Sequence, residues 1–236
     1  MRLDKWLANS GIGSRKEVKK LLKTGAVTVN GKMEKDPKVQ VKPDQDQVML
    51  FDEPVEYREF VYLMMNKPPG VISATEDKQD ETVVDLLDDL HKNFDPHPVG
   101  RLDKDTEGFL LLTNDGGLSH RLLSPKHHVP KTYFARINGE VTQTDIAAFK
   151  EGVTLDDGYK TKPGELVILS AGLESTIELT ITEGKFHQVK RMFQSVGKEV
   201  VYLKRLSMGA LVLDEELELG EYRELTEEEL SLLKGE

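Results

Sequence analysis

Charge is divided unevenly along this 236-residue chain, and that division constrains its architecture more than any other feature. The whole chain carries a net charge of -10, yet residues 1–43 hold eleven lysines and arginines against four carboxylates. A basic segment on an acidic remainder is the asymmetry of a small module that meets a polyanion, joined to a separate body. Pro43 and Pro54 flank an acidic, irregular stretch, and proline interrupts regular elements. The expected division is therefore a module with its linker over 1–59 and a larger domain over 60–236. A chain of this length can bury two unequal cores.

Composition excludes several function classes. With no cysteine in the chain, there is no disulfide, thiolate nucleophile or Cys-zinc site, which fits a reducing cytoplasm. No run approaches the roughly 18 apolar residues of a membrane span. The start Met1-Arg2-Leu3-Asp4-Lys5-Trp6 lacks the apolar core of a signal peptide, so a cytoplasmic protein without a membrane partner is expected. His127-His128 and the scattered His91, His97, His120 and His187 lack metal-ligand spacing, so no metal is expected. Neither a G-x-x-x-x-G-K-[ST] nor a G-x-G-x-x-G loop occurs, and no G-x-S-x-G elbow supports a serine triad.

Within the module, Leu3, Trp6 and Leu7 recur at helical spacing before Gly11. Ser14-Arg15-Lys16-Glu17 is a capping box for a second helix through Leu22, whose outer face is cationic. Ala26–Val29 alternates like a strand, and Asn30-Gly31 is a strong hairpin turn. Arg2, Lys5, Arg15, Lys16, Lys19 and Lys20 are the candidate phosphate contacts.

In the larger domain the pattern predicts strands at 61–66, 71–73, 109–113, 131–137, 165–170, 175–182, 199–206 and 210–213. Helices are expected over 82–90, 118–123 and 145–150, over a segment after His187 that ends at Gly197, and after the Thr226-x-x-Glu229 capping box. Strands without regular βαβ alternation predict an α+β domain on a largely antiparallel mixed sheet.

Chemistry is most credible in Gly100-Arg101-Leu102-Asp103-Lys104-Asp105-Thr106-Glu107-Gly108, a charged, glycine-bounded loop directly before the apolar run Phe109–Thr113. Such a loop can present a polar group from a rigid strand, and spacing alone is equally satisfied by a charged surface turn.

A joint resemblance separates these readings. The loop with Phe109–Gly116 resembles the signature loop of pseudouridine synthases in the RsuA-type branch. Lys131-Thr132-Tyr133 resembles their tyrosine segment, and Glu183–Phe193 their third segment. Asn66-Lys67-Pro68-Pro69-Gly70 adds to the match. The first fifty residues are similar to the S-four-type (alpha-L) RNA-binding module through Arg2–Leu7, Ser14-Arg15 and Gly25–Lys32.

The resemblance implies an isomerase that breaks the N1–C1' bond of a uridine, turns the uracil and rejoins it through C5, without a cofactor. It implies Asp103 as nucleophile, acting on the sugar C1', on the base C6 or by assisting elimination. Lys190 becomes its cationic partner, where most relatives outside the branch carry Arg. Tyr133 is to stack on the uracil, and Arg101 to hold the extruded nucleotide. Asp105 is expected only to make a turn contact with Thr106 or a neighbouring amide. The ending Gly220-Glu221-Tyr222-Arg223-x-Leu225-Thr226 resembles the enzymes acting on 16S ribosomal RNA; the alternatives are a 23S target or a non-catalytic assembly factor. The expected partner is ribosomal RNA in an assembling particle, met by a monomer.

Overall fold

A computed structural model describes residues 1–235. The N-terminal part contains α1 (Leu3–Asn9), α2 (Arg15–Thr24) and a small antiparallel sheet in the order β2-β1-β3-β4, formed by Val27–Val29 (β1), Lys32–Met33 (β2), Val48–Leu50 (β3) and Glu53–Pro54 (β4). The capping box closes as its residue types dictate: Ser14 N and Oγ each donate to Glu17 Oε2 at 2.8 Å. Asn30 and Gly31 both take positive φ, 51° and 75°, as a two-residue hairpin turn of this chemistry requires. Leu3, Trp6, Leu7, Val18, Leu22 and Val27 form the core of this part, and Tyr57 packs against it.

The larger part contains β5 (Tyr62–Lys67), α3 (Asp89–Lys92), β6 (His97–Pro98), β7 (Glu107–Thr113), α4 (Gly116–Leu123), β8 (Lys131–Asn138) and α5 (Gln143–Glu151). It continues with β9 (Glu165–Ser170), β10 (Glu174–Ile181), α6 (Gln188–Ser195), β11 (Glu199–Met208), β12 (Leu211–Val212), β13 (Tyr222–Glu224) and α7 (Glu227–Lys234). Nine strands make one mixed sheet in the order β13-β5-β7-β11-β8-β10-β9, with β12 on β11 and β6 on β7. All pairs are antiparallel except β7 with β11.

Strands β5 and β7 lie at the middle of two cores. Leu63, Met65, Leu110 and Leu112 face one core, while Met64, Phe109 and Leu111 face the other. Burial on both faces explains why these strands read as continuous apolar runs and not as alternating ones. On the first face α5 and α6 meet through Phe149 and Phe193, whose rings sit edge-on with centroids 4.9 Å apart.

Two expected elements are absent. Residues 71–73 make no return strand: Ile72 bridges only Thr82, while the Ser73 hydroxyl is committed to Leu102. The segment 82–90 forms tight turns over residues 82–87, with Asp85 N bonding Thr82 O and Leu87 N bonding Val84 O, and only its Asp89 and Leu90 are helical, as the start of the four-residue α3. Its apolar spacing is met because Val83 and Leu87 reach the core from successive turns.

Candidate active site

The loop between β6 and β7 is fixed from below. Lys67, at the end of β5, is wholly buried, and its Nζ donates to the carbonyls of Pro68 (2.9 Å), Thr106 (2.9 Å) and Lys104 (3.4 Å). Burial pushes the Lys67 ammonium down to about 8, although Asp105, Asp103 and Glu107 oppose that shift. Ser73 Oγ donates to Leu102 O and accepts from Leu102 N, and Gly70 N donates to Lys104 O at 2.7 Å. Leu102 is sunk in the core, which leaves Asp103 directed outward. At the far end Gly108 has φ +102°, and a Cβ there would lie 2.3 Å from Arg205 O on β11. Only glycine allows that approach.

Residues far apart in sequence converge on this loop. Arg101, Asp103, Tyr133 and Lys190 all line one cavity of about 70 Å³. Tyr133 comes from the inward row of β8, and Lys190 from the first turn of α6. Lys190 Nζ lies 3.2 Å from Asp103 Oδ2. The same Nζ donates to Asp105 Oδ1 at 2.6 Å and Oδ2 at 2.9 Å, so the expectation that Asp105 makes only a turn contact is corrected. Lys190 is a cation shared by two carboxylates, and Asp105 holds the shorter contacts. The reason is reach: Asp105, with a largely exposed side chain, can swing both oxygens onto the ammonium.

Electrostatics at this triplet follow from the sharing. Burial disfavours the Lys190 ammonium, but hydrogen bonds and charge from Asp105 and Asp103 outweigh it and raise its proton affinity. Burial likewise would raise the Asp105 carboxyl, yet Lys190 holds it below the ordinary carboxylate range. The side chains of Asp103 and Lys190 keep 25% and 22% of their surface exposed, so the pair stands at the mouth of the cavity.

Three further residues shape the site without having been singled out by sequence reasoning. His187 lies in the left-handed region (φ 49°) at the start of α6, with Nε2 3.5 Å from Asp103 Oδ1. Gln188 is buried; its Nε2 donates to Glu183 Oε1 at 2.7 Å and its Oε1 accepts from Lys185 N at 2.8 Å. Glu183 also accepts from Lys162 N and the Tyr159 hydroxyl. This buried Glu183–Gln188 clasp sets the turn that delivers His187 and Lys190. A glutamate and a glutamine five residues apart around Gly184 were the available signal.

The basic residues of the N-terminal part lie elsewhere. Lys5, Arg15, Lys16, Lys19 and Lys20 are exposed and, among the described residues, form no ion pair. Arg2 is committed locally, donating through Nε and Nη2 to the buried Asp4 at 3.0 and 2.7 Å.

The pattern of the RNA pseudouridylate synthase family matches residues 61–195, which include every residue gathered around the cavity except Leu203. The chain belongs to the RNA pseudouridine synthase family. Residues 1–48 of this synthase match the S4 domain. The synthase is 62% identical to "Uncharacterized RNA pseudouridine synthase YtzG" of Bacillus subtilis (strain 168), over 99% of this chain and 98% of that one. It is 41% identical to ribosomal small subunit pseudouridine synthase A of Haemophilus influenzae, over 99% of each, and 40% identical to ribosomal large subunit pseudouridine synthase B of Bacillus subtilis, over 99% and 96%. A solved crystal structure of a pseudouridylate synthase superposes with TM-score 0.69 at 40% identity and covers 99% of both chains. No helix among the described residues is long and apolar enough to cross a membrane.

Proposed function

We propose that this synthase converts one uridine of 16S ribosomal RNA to pseudouridine with Asp103 as its nucleophile, and that it acts in the cytoplasm as a monomer on an assembling ribosomal particle. In this reading residues 1–59 recruit the RNA through Lys5, Arg15, Lys16, Lys19 and Lys20, while residues 60–236 carry the reaction. Arg2 supports the start of α1 through Asp4 and contributes charge at its exposed edge. The observation that carries the catalytic reading is the convergence of Asp103, Tyr133, Lys190 and Arg101 on one cavity.

The chemistry asks for what these groups supply. The N1–C1' bond breaks, the freed uracil turns, C5 bonds to C1', the C5 proton leaves and N1 gains one. The Asp103 carboxylate engages the nucleotide at its sugar or base, with Lys190 balancing its charge and Asp105 keeping that ammonium in place. Tyr133, a buried ring in the cavity wall, offers a stacking face to uracil. Extruding the uridine costs a few kcal/mol, which contacts from the exposed Arg101 to the strand offset.

The 16S target is supported by full-length similarity to the small-subunit enzyme of Haemophilus influenzae. The sequence of the ending Gly220–Thr226, which resembles that of the small-subunit enzymes, also favours this reading. Similarity of nearly the same extent to a large-subunit enzyme favours a 23S target as the second reading. Pseudouridine mapping of both ribosomal RNAs, from cells with and without this protein, tests the proposal. One 16S pseudouridine should disappear with the protein; a lost 23S site would establish the second reading, and no lost site would refute both.

A further inference from the structure

Next to the catalytic cavity lies a second one, of about 210 Å³, and Arg101 and Tyr133 line both. At ~30 Å³ of liquid volume per water, it has room for a small polyatomic ion with its hydration. Its floor holds two buried cations. Lys131 begins the inward row of β8 that continues with Tyr133, and it is 8% exposed. Arg205 is 2% exposed and pairs with Tyr133 across the β8–β11 ladder, which sets both side chains on one face of the sheet.

Neither cation is neutralised. Among the described residues no carboxylate forms an ion pair with Lys131 or Arg205. Lys131 Nζ donates to Val129 O at 3.0 Å, and Arg205 Nε donates to Phe109 O at 2.8 Å. Arg205 Nη2 is buried without any partner. The Lys131 ammonium is pushed down to about 8 by burial and by the neighbouring Arg205 charge. Glu183 also lines the cavity, but its oxygens are engaged by Tyr159, Lys162 and Gln188. Buried charges are ordinarily paired, because desolvating them costs several kcal/mol each. Two adjacent buried cations with an orphaned guanidinium donor describe an anion site.

We propose that the Lys131–Arg205 cavity seats a phosphodiester of the substrate RNA, the one flanking the nucleotide held over Tyr133. This rests on the reading of the Asp103 cavity as the uridine site, since Arg101, Tyr133, Gly184 and Lys185 line both cavities. Phosphate fits the donor set: a guanidinium edge and an ammonium can each take one nonbridging oxygen. The contact fixes the register of the extruded nucleotide and carries no base information. The lysine of Lys131-Thr132-Tyr133 thus acquires a role beside the tyrosine's.

The test uses the full-length protein and an rRNA fragment containing the mapped uridine, tritiated at C5. Single methylphosphonates replace the linkage on either side of it. Wild-type protein should lose about tenfold in kcat/KM, through KM, on one of these two RNAs. Lys131→Gln should show that loss on unmodified RNA, no further loss on the neutralised RNA, and a salt slope of binding shallower by roughly one. Arg205→Gln should behave likewise where thermal unfolding shows it folded; if it does not fold, Lys131→Gln decides alone. Wild-type kinetics on both neutralised RNAs would overturn the proposal, as would losses that multiply between Lys131→Gln and the methylphosphonate. Inorganic phosphate that stabilises only the wild type against heat, with both neutralised RNAs processed normally, would assign the cavity to a free anion and reject the RNA contact. Failure of the catalytic reading looks different: no tritium is released from any RNA, while the binding measurements still decide the phosphate site.

Discussion

At the scale of single residues, the shared ammonium of Lys190 organises the site. Asp103 and Asp105 both lie within 3.2 Å of its Nζ, and either carboxylate alone would leave the charge balanced. Lys190→Met removes the balance for both, so two neighbouring carboxylates lose their shared cation. We expect kcat for tritium release to fall by about a hundredfold, the scale of losing one charge-stabilising group. Asp105→Asn leaves the ammonium to Asp103 and should keep activity within roughly tenfold, measured in the same assay. Lys67 makes a pH-dependent contribution of definite sign. Its folded value of about 8 lies below the ordinary 10.5, so the unfolded chain binds more protons between these values. Stability relative to Lys67→Met should rise as pH increases from about 8 toward 10.5, and be flat below that window. Denaturant titrations of the two proteins across this range check it.

The elements show how much was legible and why. Helix starts declared by Ser14-x-x-Glu17 and Thr226-x-x-Glu229 form where expected, because their side chains satisfy local backbone donors without help from tertiary structure. The runs at β5 and β7 were equally plain. The segments 71–73 and 82–90 depart from expectation through side-chain bonds, one long-range and one local. Ser73 is drawn from strand pairing by Leu102, and Thr82 with Asp85 closes a turn that resembles a helix cap but leads into the core. Within the site, motif residues could be read from sequence, whereas the clamp by Lys67, the sharing of Lys190 with Asp105 and the clasp of Glu183 with Gln188 exist only after folding. Gly108 links these levels. Its positive φ and its contact with the Arg205 backbone hold β7 in parallel register with β11. Gly108→Ala should destabilise the protein by about 2 kcal/mol or more, read as a shift in denaturant midpoint.

For the whole molecule, the division of charge matches a division of labour. The exposed lysines and arginine of α2 lie on a basic module with its own core and sheet, apart from an acidic domain that holds the cavity. Under the proposed function, long-range attraction to RNA and local chemistry fall to different surfaces. Reversing Lys16, Lys19 and Lys20 to Glu should weaken rRNA binding and lower the salt slope by up to about 3, raising KM with kcat nearly unchanged. Equal loss of kcat would tie those lysines to the reaction itself.

In the proposed function the carboxylate of Asp103 performs the isomerisation, and one substitution tests that role. Asp103→Asn keeps the shape of the loop and removes the proposed nucleophile. Tritium release from transcribed ribosomal RNA carrying 5-tritiated uridine should fall to background in this variant, with RNA affinity preserved. Release at a rate comparable to the wild type would contradict the account.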